Sequence, residues 1–140
     1  MIAQEFSLKQ LGNENGELVS LEDFKGKAIM LTFWASWCPD CAKDLHVKNH
    51  FYCSLNSDEL VFLTINVTGR EASDNAARQF MGVNDYSFPV LIDEGTKTYD
   101  AYHCYGVPTT FLLNKNHEIV ATFNDKARFT DILKKLGDIL

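Results

Sequence analysis

The stretch FWASWCPDCAKDL, residues 33–45, limits the possible folds more than any other part of the chain. It grows out of AIMLTFW (Ala28–Trp34), a nearly unbroken apolar run of strand-forming residues that reads as a strand buried on both faces. From Pro39 the period changes: Cys41, Leu45, Tyr52 and Leu55 recur at helical spacing, and proline suits a first helical position. Cys38 and Cys41 therefore fall where a buried strand ends and its helix begins. In open α/β sheets, that carboxyl edge is where sites collect.

The rest of the chain alternates in the same way. EFSLKQLGNENGELVSL reads as two short extended pieces around a Gly/Asn turn, and Ser20 with Asp23 offers a capped helical turn. ELVFLTINV (Glu59–Val67) is a second buried strand, Ser73–Met81 a helix capped by Ser73, FPVLID a third strand and KTYDAYH a short helix. TTFLLN and EIVATF pair antiparallel across KNH. Phe129, Ile132, Leu133, Leu136, Ile139 and Leu140 then line one apolar face of a closing helix. At 140 residues the chain can bury a core without staples, so it reads as one domain over residues 1–140. Its class is α/β, a central mixed sheet flanked by helices on both faces.

Positions i and i+3 of a helix share a face, so Cys38 and Cys41 can close a small disulfide ring, or expose one sulfur while covering the other. Cys38 falls at the helix N-terminus, where free N–H groups and the dipole favour negative charge, and the thiolate is the species that attacks disulfides. Asp40 opposes this: at ~8 Å and an effective dielectric of ~40 it costs a Cys38 thiolate roughly 1 kcal/mol. A destabilised thiolate goes with a more reducing couple. Spacing alone leaves three readings open. A zinc ribbon requires a second ligand pair, and Cys53 and Cys104 are solitary. A structural disulfide, or an inert buried pair, fits the spacing. A redox dithiol fits both the spacing and the strand–helix junction, and is favoured.

FWASWCPDC resembles the active-site segment of thioredoxin-like proteins, and YGVPTTFLLNKNHEIV resembles their proline-loop and β-hairpin segment. With the N-terminal hairpin, the LEDFKGK entry and FPVLID after an inserted helix, the whole chain is similar to the TlpA-like extracytoplasmic thiol–disulfide oxidoreductases. In bacteria these include cytochrome c maturation reductases. Peroxiredoxins share the fold, but their P-x-x-x-T-x-x-C motif is not found. The resemblance implies a thioredoxin fold with an N-terminal β-hairpin and an inserted helix. It implies Cys38 as an exposed nucleophile, Cys41 as a buried resolving thiol and a cis Val107–Pro108 peptide facing the sulfurs. Trp37, Pro39, Asp40, Val107 and Pro108 would then contact substrate, with the Val107 backbone open to a substrate strand. It further implies a monomer that acts on protein thiols and disulfides and is served by an upstream electron donor. No metal and no bound cofactor is expected, because the Cys38–Cys41 disulfide itself carries two electrons.

Three positions depart from the family pattern. Proline follows the first cysteine rather than preceding the second. Thr32 stands where many thioredoxins carry a buried aspartate. Asp44 stands where the TlpA-like branch often has glutamate, at i+3 from Cys41 and so on its face. A partly desolvated Asp44 could accept the Cys41 proton; the alternative is an exposed aspartate pairing with Lys48 at i+4.

Several features narrow the function further. A net charge of −6 excludes a general phosphate-backbone binder. No apolar run approaches the ~20 residues of a membrane span, and MIAQEFSLKQ carries no export signal; an extracytoplasmic setting is expected from the resemblance alone. His46, His50 and Cys53 have ligand-like helical spacing but lie opposite the core stripe, and read as a solvated face. Cys104, beside His103, reads as a small packed residue. Trp34 is expected in the core and Trp37 partly exposed, and Lys134 with Lys135 on a solvated face. The expected activity is thiol–disulfide exchange as a reductant. Its rivals are a disulfide oxidase or isomerase, and a non-catalytic peptide-binding module.

Overall fold

The computed structural model describes residues 1–140. In chain order the elements are β1 (Ser7–Gln10), β2 (Val19–Ser20), a 3-10 turn (Leu21–Phe24), β3 (Ala28–Trp34), α1 (Pro39–Ser54) and β4 (Leu60–Asn66). A second 3-10 turn (Thr68–Arg70) follows, then α2 (Ala76–Asn84), β5 (Val90–Ile92), α3 (Lys97–Ala101), β6 (Thr109–Leu113), β7 (Ile119–Phe123) and α4 (Phe129–Ile139).

β3 is buried along its whole length because it is central and covered on both faces. Side chains alternate across a strand, so its residues feed two cores. Ile29, Leu31 and Phe33 pack with Phe6, Leu8, Tyr99, Tyr102 and Phe111 beneath the N-terminal segment and α3. Ala28, Met30 and Trp34 pack with Leu45, Phe62, Phe88 and Leu136 beneath α1, α2 and α4. The sheet order is β2-β1-β5-β4-β3-β6-β7. β3, β4 and β5 run parallel, whereas β6 pairs antiparallel with β3, placing Thr110 directly opposite Thr32. The N-terminal hairpin closes the far side, with β1 antiparallel to both β2 and β5.

The two runs richest in local signal form as expected: β3 spans Ala28–Trp34, and α1 starts at Pro39. The Ser20 backbone N–H donates to the Asp23 carboxylate at 2.9 Å, closing the expected capped turn. α2 is a correction. It begins at Ala76, capped by Asn75 without a side-chain bond, so Ser73 is not its cap. The residues just after β4 are drawn into the 3-10 turn instead, where the Gly69 N–H donates to the Gly95 carbonyl at 2.8 Å. On α1 the buried positions are Cys41, Leu45 and Lys48, with Tyr52 and Leu55 only half-buried. A lysine, not a tyrosine, completes the inward stripe.

Candidate active site

Cys38 is the N-cap of α1, and its sulfur accepts the Cys41 backbone N–H at 3.1 Å. The sulfur thus occupies the place usually taken by a serine or aspartate oxygen, facing the free N–H groups of the helix. All four cysteines are free thiols. The Cys38 thiol also points at the Val107 carbonyl, 3.5 Å away, across from the cis Val107–Pro108 peptide. This contact corrects the expectation of an exposed Cys38: it is 5 % exposed against 0 % for Cys41, so the order holds but the nucleophile sits under the proline loop. Burial drives the Cys41 thiol well above the ordinary thiol range. Contact with the Cys38 sulfur and the charges of Cys38 and Asp44 add to the rise, and a backbone hydrogen bond at Ala35 works against it.

The other expected contacts ring this sulfur. Trp37 is half-exposed and Pro39 and Asp40 are exposed at the start of α1, while Pro108 is buried and Val107 partly so. The Val107 N–H has no partner within the chain, which leaves it available to an extended segment. Beside the loop lies a groove of about 660 Å³, lined among others by Cys104, Val107, Pro108, Phe111 and Phe123, with Tyr105 fully exposed at its rim. Cys104 is half-buried in the groove wall, and burial pushes its thiol up to about 12. His46 and His50 lie exposed on the outer face of α1, and no cluster of His, Cys, Asp or Glu side chains gathers that could hold a metal.

Beneath Cys41 the floor is polar. Lys48 is fully buried, and its Nζ donates to Asp44 Oδ2 at 2.7 Å, Thr110 Oγ1 at 2.6 Å and Thr32 Oγ1 at 3.0 Å. The expected Asp44–Lys48 pair therefore exists, but it corrects the picture of an exposed helix pair: Lys48 points inward and the Asp44 side chain is only 20 % exposed. Burial holds the Lys48 ammonium below the ordinary lysine range, opposed by the neighbouring Asp44 charge. A second cleft, of about 180 Å³, is lined by Asp40, Asp44, Pro108 and Asp125, and connects Asp44 to solvent.

The AhpC/TSA family profile matches residues 2–122. The chain belongs to the AhpC/TSA family. Within it, this chain is 36% identical over 107 residues to sporulation thiol-disulfide oxidoreductase A of Bacillus subtilis, covering 76% of this chain and 64% of that one. It is 34% identical over 110 residues to thiol-disulfide oxidoreductase ResA of the same organism, covering 79% and 60%. The chain thus spans a little under two thirds of the length of these curated relatives. The crystal structure of StoA from Bacillus subtilis superposes with a TM-score of 0.80 at 30% identity, covering 95% of this chain and 96% of that one. The exposed lipoprotein thioredoxin Etrx1 of Streptococcus pneumoniae superposes with a TM-score of 0.83 at 29% identity, covering 96% and 99%. The fold of this AhpC/TSA member is accordingly thioredoxin-like, with the N-terminal hairpin and inserted helix in place.

Three residues around the site have no distinguishing spacing in the sequence. The Glu71 carboxylate accepts the Ser36 N–H at 2.7 Å, the Ser36 hydroxyl at 2.6 Å and the Asn66 amide at 2.7 Å. The Trp37 indole donates to the Arg70 carbonyl at 2.6 Å. Together Asn66, Arg70 and Glu71 tie down the two residues before Cys38. The Asp93 carboxylate does similar work on the other side, accepting the Thr98 and Tyr99 N–H groups at 2.9 and 3.1 Å and so seating α3 ahead of the proline loop. Only a buried carboxylate at the end of a strand, as in FPVLID, hinted at this.

Proposed function

We propose that this AhpC/TSA domain is a thiol–disulfide oxidoreductase that reduces disulfides in protein substrates. The observation that carries the reading is Cys38 itself: its sulfur sits at a helix N-terminus, 3.1 Å from the Cys41 N–H, under a loop whose Val107 N–H is unpaired. An extended substrate segment paired with Val107 would lie across that sulfur. The Cys38 thiolate attacks one substrate sulfur, forming a mixed disulfide and releasing the other as a thiol. Cys41 then gives its proton to Asp44 and attacks the Cys38 sulfur. The protein leaves as a Cys38–Cys41 disulfide and the substrate as a dithiol, two electrons richer. No cofactor enters this cycle, because the cysteine pair holds the electrons. A further dithiol donor must restore the reduced form.

The reducing direction is part of this proposal, and it is supported by the negative charge that Asp40 places in the first turn of α1, beside the cysteine pair. The naming of Etrx1 as an exposed lipoprotein supports an extracytoplasmic setting; no helix here is long and apolar enough to cross a membrane.

The test has two arms. Cys41→Ser should trap substrates as stable mixed disulfides through Cys38, and the intact protein should reduce insulin disulfides when recycled by dithiothreitol. Equilibration with glutathione should place the pair near thioredoxin's ~−270 mV; a value near ~−120 mV would make it an oxidase instead. A pair that traps nothing and never exchanges would leave only a peptide-binding module.

A further inference from the structure

The buried ammonium of Lys48 has no part in the cycle above, yet it is the only lysine wholly removed from solvent. Fold stability does not account for it. Taking an ammonium out of water is costly, and an apolar side chain of similar volume often serves a core as well or better. Nor do the threonines depend on it, since Thr32 Oγ1 and Thr110 Oγ1 already lie within hydrogen-bond distance of each other, at 3.3 Å. The three partners of Nζ match the three N–H groups of a charged lysine. Cys41, Asp44 and Lys48 follow one another at i, i+3 and i+7 on the inward face of α1. The charged or titratable groups facing Lys48 are Asp44 and Cys41, both on α1. β3 and β6 offer only the hydroxyls of Thr32 and Thr110, and Asp40, Lys43 and Asp125 line the outer cleft that Asp44 opens into.

Resting on the oxidoreductase reading above, we propose that Lys48 is a positioning residue for the resolving step, whose fixed positive charge balances the negative charge as it passes from Asp44 to Cys41. Before resolution, Asp44 carries −1, Lys48 +1 and Cys41 is a neutral thiol. The Cys41 proton moves to the Asp44 carboxylate, the negative charge moves to the Cys41 sulfur, and the total charge of the three groups stays zero. Cys41 then bonds to the Cys38 sulfur, the Cys38–substrate bond breaks, and the departing substrate thiolate takes a proton from solvent. Without Lys48 the same transfer moves an unbalanced charge within a water-poor site, where electrostatic interactions are strong. The ammonium also holds Asp44 Oδ2 at 2.7 Å, fixing the carboxylate one turn from Cys41.

The experiment uses the reduced full chain and an aromatic disulfide that releases a coloured thiol at each step. The first release reports attack by Cys38 and the second reports resolution by Cys41. Lys48→Met keeps length and apolar bulk while removing the charge. The expected result is a first release within about twofold of wild type, and a second slowed by about 10- to 100-fold at pH 7, below the ~10²–10⁴ of a lost general base. The pH profile of the second release should also move alkaline. A folded Lys48→Met protein with wild-type second release and profile overturns the proposal. If that variant does not fold, the decision passes to Lys48→Gln, which keeps N–H donors near the threonine hydroxyls without the charge. Its second release should slow by the same factor with the first unchanged, and a wild-type second release overturns the proposal. Absence of any second release in the wild type would instead sink the oxidoreductase reading itself.

Discussion

Asp44 carries two duties in the proposed cycle, accepting the Cys41 proton and neutralising a buried lysine, and the second governs what its removal does to stability. Asp44→Asn keeps an oxygen near Lys48 but removes the charge opposite an ammonium that is 0 % exposed. The variant should lose about 1–3 kcal/mol at pH 7, the range for depriving a buried polar group of its partner. The sign with pH follows from Lys48. Burial lowers its folded pKa below the unfolded 10.5, so the unfolded chain binds more protons and stability gains as pH rises through that interval. Removing Asp44 takes away the charge that opposes the lowering, widening the interval. The stability gap between wild type and Asp44→Asn should therefore narrow as pH rises from 7 toward 10, measured by urea unfolding. A gap constant across that range would mean that Lys48 carries no charge the carboxylate stabilises. Independently, mixed-disulfide resolution in the variant should slow by about 10²–10⁴-fold.

At the scale of elements, the site depends on a clamp between two loops rather than on the helix alone. The turn after β4 crosses so close to the β5–α3 loop that a Cβ on Gly69 would lie 2.8 Å from the Gly95 carbonyl carbon, so only glycine fits. This close crossing brings Glu71 over Ser36, two residues before Cys38. Glu71→Gln preserves size but leaves one acceptor oxygen for three donors. The variant should be destabilised by about 1–3 kcal/mol, and amide exchange at Ser36 and Trp37 should accelerate while β3 stays protected. Unchanged stability and unchanged exchange at Ser36 would show that the clamp holds nothing. The Cys38–Val107 contact belongs to the same scale, because α3 and the proline loop are seated by Asp93 and by the Thr109 hydroxyl donating to the Gly106 carbonyl at 2.6 Å.

The whole molecule is closed by its first twenty residues. β1 covers the edge of β5, Phe6 and Leu8 are buried in the core around Phe33, and the Tyr102 hydroxyl donates to the Gln4 carbonyl at 2.6 Å. The segment before β1 also pairs with the β6–β7 hairpin, the Ala3 N–H donating to the His117 carbonyl at 2.8 Å. Deleting residues 1–20 would bare an unpaired β5 edge beside an opened apolar face, the usual route to edge-to-edge association. The truncated chain should lose cooperative urea unfolding and scatter light at concentrations where the full chain does not. A soluble truncation with an unchanged unfolding midpoint would show that the hairpin is an ornament on an independent core.

The sequence alone determined the features that depend on neighbours along the chain. The apolar run Ala28–Trp34, the proline at the first position of α1 and the i, i+3 cysteines are local patterns, and β3, α1 and the placing of Cys38 at a helix N-terminus follow from them. Family resemblance added the cis Val107–Pro108 peptide, which the structure contains. What tertiary structure alone decided is where polar side chains find partners. Periodicity places position 48 on the inward stripe with Cys41, Leu45 and Tyr52, but nothing local says what would receive a lysine's charge there. The register of β3 against β6 sets Thr32 beside Thr110, 78 residues away in sequence, and their hydroxyls with Asp44 make the interior habitable for an ammonium. Cover over Cys38 and the clamp on Ser36 are decided in the same way, by loops that meet only once the sheet has formed. Hydrogen bonds between distant residues leave no period in a sequence, because their geometry belongs to strand order and not to spacing.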